Sequence, residues 1–276
     1  KYKEEFPDRF YNCGVAEANL VSMAAGMALC GLKPVAYTIT PFITSRCFEQ
    51  VRVDMCYNNL PVITVAVGAG FGYASLGATH HSCEDIAIMR VIPNMTVICP
   101  GDAFEVRAAI RAALKHNGPV YIRLGKKGEP LVHKHVPEFE IGKGIIIKDG
   151  DKVCLLSTGN MLSVALDSAR GLEKQGVSTQ VVSLHTVKPL DKKLLSEVFN
   201  KFKLVVTVEE HSLLGGFGAG IAEWLVDYKM QEAKLLRFGT NDIFLHKVGE
   251  QEYVREVFGL TQKAITDKIL KRYNKN

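Results

Sequence analysis

A chain of 276 residues with 47% hydrophobic and 23% charged side chains has room for two domains and an ordinary core, which excludes a disordered tail or a fibrous repeat. The net charge of +5 is spread along the sequence, and the basic end "KILKRYNKN" reads as the solvated last turn of a helix, so neither a nucleic-acid surface nor a membrane span is expected. The seven cysteines are odd in number and form no CxxC pair, which fits reduced thiols in a cytoplasmic protein better than a disulfide framework.

The first residue is Lys1, so further residues are expected upstream, and "KYKEEFPDRF" is expected to begin partway through a domain. The first periodic segment is "YNCGVAEANLVSMAAGMALCG", with a helix expected over Val15–Cys30. Its one acid, Glu17, falls in the first turn, and no charge follows from Ala18 to Gly31. An acid there complements the positive end of the helix dipole, worth about 0.3–1 kcal/mol. A carboxylate facing an apolar pocket is also suited to sharing a proton with a ring nitrogen. Periodicity alone leaves both readings open and leans towards the first.

The strand "PVAYT" from Pro34 leads into "TITPFITSRCFEQVR". Phe42, just past the strand's carboxyl end, is either a core residue or a platform for a flat heterocycle. A helix over Cys47–Asn58 follows and is a candidate subunit contact. The strand "PVITVAV" from Pro61 then opens onto the glycine-rich loop "GAGFGYASLGATHHSCEDIAIMR". His80 and His81 are adjacent, so one at most is expected to point into a site, and the pair lacks the spacing of a zinc centre. A helix over Glu84–Val91, the strand "MTVICP", a helix over Asp102–His116 and the strand "VYIRLG" complete this half. Asp102 with Glu105 three residues on forms a capping-box pattern.

The stretch "GKKGEPLVHKHVPEFEIGKGIIIKDGDK" reads as a linker running into an edge strand. A second alternation follows: "KVCLLSTG", a helix over Met161–Gln175, "TQVVSLHTV" as one strand, a helix over Asp191–Lys201, "KLVVTVEE", a helix over Gly216–Tyr228, "KLLRFG" and two closing helices. The expected fold is α/β, with two domains in series (1–133 and 134–276), each a mostly parallel sheet flanked by helices. The first domain is expected to lack its first strand. "SLLGGFGAGIAEWL" superficially suggests a dinucleotide fingerprint, but its order is incomplete, and close backbone packing explains it better.

Taken together, "GVAEANLVSMAAGMAL", "PFITSRCFEQVR", "LGATHHSCEDIAIMRVIPNMTVICPGDAFE", "GPVYIRLGKKGEP", "HTVKPLD" and "VEEHSLLGGFGAGIAEWL" resemble, in order and spacing, the carboxyl-terminal half of the transketolase family. The resemblance implies a pyrimidine-binding domain of the thiamine-diphosphate fold followed by a transketolase C-terminal domain. It implies that Glu17 hydrogen-bonds N1′ of the aminopyrimidine and so favours the imino form that takes the thiazolium C2 proton. Phe42, or Ile43 if the alignment slips by one, stacks on that ring. The resemblance further implies that His80 contacts the hydroxyls of a ketose donor, with His81 as the second candidate. The family's Gly-Asp-Gly…Asn motif for the diphosphate and metal does not occur here. The resemblance therefore implies a split enzyme: an amino-terminal partner subunit would hold the diphosphate and Mg²⁺ (or Ca²⁺), in an α2β2 heterotetramer.

Three departures bear on the substrate. Leu76 stands where the family places an aspartate that reads hydroxyl stereochemistry, and Gly68 lies near the place of a phosphate-binding histidine. Lys126 replaces a phosphate-binding arginine, keeping charge but losing the bidentate fork. An ordinary sugar phosphate is thus a less expected acceptor than a modified or nucleotide-linked sugar. The alternatives are a 2-oxo-acid dehydrogenase β-like subunit, a deoxyxylulose-phosphate-synthase-like acyl transfer and a non-catalytic stabilising subunit.

Overall fold

The computed structural model describes residues 1–126, 128–228, 233–246 and 248–274. Its strands are β1 (Val35–Ile39), β2 (Ile63–Val67), β3 (Thr96–Ile98), β4 (Val120–Leu124), β5 (Ile145–Lys148), β6 (Val153–Ser157), β7 (Thr179–Ser183), β8 (Thr186–Lys188), β9 (Leu204–Ser212) and β10 (Lys234–Thr240). Among the described residues they form two five-stranded sheets, ordered β1-β2-β4-β3-β8 and β10-β9-β6-β7-β5. Each sheet is parallel except at one edge, where β8 runs against β3 and β5 against β7. Strands β2, β6 and β7 are buried at every position, as expected in a sheet covered on both faces; β2 is apolar or β-branched throughout, whereas β7 also buries Gln180 and Ser183.

One expectation is corrected. "TQVVSLHTV" is not a single strand: the chain turns at Leu184 and His185, and β8 leaves the second sheet to close the edge of the first. The backbone N–H of Cys99 donates to the carbonyl of His185 at 2.6 Å beside the new pairing. The first sheet is therefore completed by residues from the second half of the sequence. A large core, including Val97, Leu156, Val187, Phe217 and Trp224, runs continuously between the two sheets.

The helix after β3 follows its sequence signal. Asp102 caps Ala103–Lys115 through one carboxylate oxygen, accepting from the N–H groups of Phe104 (3.0 Å) and Glu105 (2.9 Å). Its other oxygen accepts from the N–H groups of Val132 and His133, so the same residue anchors the linker. The expected helix over Cys47–Asn58 is short (Phe48–Gln50) and continues as a wider π turn over Val51–Tyr57. In the glycine-rich segment, buried Glu209 accepts the N–H groups of Phe217 and Gly218, both at 2.7 Å. A side chain at Gly216 or Gly218 would strike that carboxylate, so these glycines serve close packing. Burial pushes the Glu209 carboxyl up to about 7, against the pull of the two N–H groups.

Candidate active site

The carboxyl ends of β1 and β2 and the loop after β2 converge on one opening of the first sheet, the usual ligand position in open α/β sheets. Glu17 opens the helix Glu17–Leu29 and is only 8% exposed. A dipole-complementing acid would remain solvated, and the dipole's fraction of a kcal/mol does not offset the dehydration of a carboxylate. Burial here requires a partner, and Arg46 supplies it: its Nη1 donates to Glu17 Oε2 at 3.1 Å.

Arg46 lies in the turn that follows β1. Thr40 Oγ1 donates to the carbonyl of Val67 (2.9 Å) and Thr44 Oγ1 to the carbonyl of Thr40 (2.7 Å), which fixes the turn against β2. Phe42 and Ile43 are consecutive in the short helix Thr40–Ile43 and face different ways. Ile43 is fully buried in the core and offers no surface for stacking. Phe42 is half-buried and turned to the opening, where the Arg46 guanidinium carbon lies 4.2 Å from its ring centroid. The His80 ring meets Phe42 edge-on, with centroids 5.3 Å apart at 65°.

The two histidines diverge, as adjacent residues should. His80 faces Phe42 and Tyr73, with Nδ1 2.9 Å from Thr79 Oγ1. His81 packs edge-on against Phe71, which stacks on Phe258, and its Nε2 lies 3.3 Å from the carbonyl of Ala74. It braces the loop instead of lining the opening. Lys126 is exposed, its Nζ 5.0 Å from the centroid of Tyr73, whose ring also meets His80. Glu17, Phe42 and His80 are thus brought together, Lys126 sits one ring further out, and Ile43 and His81 point elsewhere. Leu76 is exposed.

Sequence reasoning missed Arg46 and Tyr73. Arg46 had a usable signal: four residues after Phe42 in a helical turn, it shares that residue's face.

Behind the opening lies a buried polar junction. Asp85 receives Arg123 through Nε (2.6 Å) and Nη2 (3.1 Å), and the Tyr121 hydroxyl at 2.6 Å. Arg123 also donates to the carbonyls of Ser82 and Glu210, joining the His80 loop to the second sheet. Glu210 in turn accepts from Arg255, Gln251 and Asn160. Burial is the largest single influence and would raise the Asp85 carboxyl, but the Arg123 charge, the nearby His211 and the hydrogen bonds from Arg123 and Tyr121 together outweigh it and hold the group below its ordinary value. Among the described residues no cluster of three or more His, Cys, Asp or Glu side chains could hold a metal ion.

A carboxylate and an aromatic face thus converge at the strand ends of a two-sheet α/β chain, an arrangement whose chemistry suits a flat, nitrogen-bearing ring. Comparison with known proteins makes the class specific. Residues 1–129 match the transketolase pyrimidine-binding domain and residues 142–265 the transketolase C-terminal domain. A Methanocaldococcus jannaschii protein carrying the name transketolase C-terminal section is 38% identical over 99% of this chain and 86% of its own. The 6-deoxy-6-sulfo-D-fructose transketolase subunit SqwH of a Clostridium species is 38% identical over 96% of this chain and 81% of its own. A solved structure described as a split gene transketolase, inactive beta4 tetramer, superposes with a TM-score of 0.89 at 38% identity, covering 99% of this chain and 87% of that one. The chain belongs to the transketolase family.

Proposed function

We propose that this chain is the C-terminal subunit of a split, thiamine-diphosphate-dependent transketolase that moves a two-carbon ketol unit from a ketose donor to an aldehyde acceptor. An N-terminal partner holds the diphosphate and its Mg²⁺ or Ca²⁺, in an α2β2 assembly of cytoplasmic location. The observation that carries this reading is the convergence of Glu17 and Phe42 on one planar, hydrogen-bonding cation, the Arg46 guanidinium. A pair of groups that holds one flat N–H donor fits the protonated edge and the face of an aminopyrimidine.

When bound, thiamine diphosphate supplies the electron sink for cleaving and forming the carbon–carbon bond. Glu17 holds a proton at the aminopyrimidine edge, in a cleft that limits water. Phe42 fixes the plane of the ring. His80, beside Phe42, donates or accepts at the hydroxyls of the sugar. Lys126, further out, attracts an anionic end of the substrate as a point charge and gives less geometric discrimination than an arginine. With Leu76 adding no hydrogen bond, the acceptor proposed is a modified sugar.

The test is co-expression with the N-terminal partner and a screen of ketol donors with phosphorylated and unphosphorylated acceptors. Glu17→Gln is expected to lower turnover by more than the ~10²-fold typical of losing one acid–base group. Near-normal turnover of that variant would remove the assignment. Release of carbon dioxide from a 2-oxo acid, without ketol transfer, would favour the acyl-transfer alternative.

A further inference from the structure

The Arg46 side chain satisfies two requirements at once. It gives the buried oxygen of Glu17 a hydrogen bond at 3.1 Å, and it lays a flat π-system 4.2 Å from the centroid of Phe42. Those are the two contacts that the proposed function assigns to the aminopyrimidine. Guanidinium and aminopyrimidine have the same useful properties here: both are planar, both present N–H to a carboxylate, and both stack on an aromatic face. They cannot occupy one space together.

We infer that Arg46 is the resident occupant of the pyrimidine seat in the unloaded chain and must be displaced when the cofactor enters. The inference rests on the cofactor reading above. Several features make the exchange feasible. The Arg46 side chain is 50% exposed, so it can swing outwards without opening the core. It makes one hydrogen bond to Glu17, leaving most of its donors to water. It sits in the turn between Thr40–Ile43 and Phe48–Gln50, outside either helical segment. Meanwhile its contacts keep Glu17 paired and hold it and Phe42 at a fixed separation, so the seat is preformed before loading.

An occupant of this kind costs affinity. A half-exposed ion pair and an exposed cation–π contact are each worth about a factor of five or less, so their loss should weaken cofactor binding by roughly 10-fold in the wild type. Removing the guanidinium should restore that factor.

The experiment is calorimetric titration of thiamine diphosphate with Mg²⁺ into complexes of the partner subunit with wild-type, Arg46→Met, Arg46→Gln and Glu17→Gln chains, alongside a crystal structure of the loaded wild type. The expected result is about 10-fold tighter binding by Arg46→Met. Arg46→Gln should shift in the same direction, Glu17→Gln should bind more weakly, and the loaded structure should have the guanidinium clear of the Phe42 face. Unchanged or weaker binding by both Arg46 variants, with Glu17→Gln still weakened, would overturn the inference and leave the cofactor reading standing. A loaded structure with Arg46 still on both groups would do the same. If Glu17→Gln leaves the affinity untouched, the cofactor reading itself fails and the inference falls with it.

Discussion

Two arginine–carboxylate pairs lie in the first half of the chain, one after β1 and one on β4, and differ in almost every physical respect. Asp85 and Arg123 are 0% and 1% exposed, joined through two nitrogens and closed off by Tyr121 and two backbone carbonyls. Glu17 and Arg46 share one hydrogen bond, with the arginine half in solvent. In the first pair Arg123 Nε and Nη2 and both Asp85 oxygens are matched inside the protein, so the arrangement leaves little for a ligand to improve. In the second the carboxylate is sheltered but its partner is not, so the partner can be exchanged. The first pair holds the loop; the second keeps a seat.

Removing Arg123 should have the largest effect. Arg123→Met strands Asp85 as an unpaired buried charge and should cost about 3–5 kcal/mol in chemical denaturation. A loss below about 1 kcal/mol would break the contrast, since the closed pair would then behave like an exposed one. Acid should act next, on the buried side. Burial holds His185 and His211 at about 4, below their ordinary 6.5. Between those values the unfolded chain binds more protons, so stability is full above 6.5 and falls as pH drops towards 4. Moving from about pH 7.5 to about pH 5.5 should cost about 1.4 kcal/mol per histidine, read from denaturation midpoints at each pH. A flat profile over that range would mean that both imidazoles find proton acceptors when charged.

On the exchangeable side, Phe42→Ala should reduce thiamine diphosphate affinity of the assembled complex about 10-fold, with thermal stability barely altered, since the ring is only half-buried. A collapse of stability without loss of affinity would make Phe42 a core residue. The smallest effect is expected at the exposed pair Arg52–Glu49, which faces water on both sides. Glu49→Gln should stay within about 0.5 kcal/mol of wild type in the same denaturation assay. That would confirm that shelter, and not the presence of opposite charges, separates the three pairs.

The parts legible in the sequence are those set by local physics. The capping role of Asp102 follows from its short acceptor ahead of an apolar-periodic run, and the structure adds only the second use of its carboxylate. The divergence of His80 and His81 follows from their adjacency. Phe42 stands ahead of Ile43 because it carries the ring, but a slip of one position leaves Ile43 open. The structure adds that Ile43 is completely buried while Phe42 is not. The break within "TQVVSLHTV" was not legible. A β-branched run states that a strand forms, but carries no mark of which sheet receives it.

The sequence by itself determined the alternation of strands and helices, the family resemblance and the residue types gathered around Glu17, because periodicity, caps and motifs are properties of short stretches. Only the tertiary structure decided that β8 crosses to the first sheet, that Glu17 is sheltered, and that Arg46 covers Phe42. Those outcomes depend on which surfaces meet. Burial and pairing are relations between residues distant along the chain, and no local pattern encodes them.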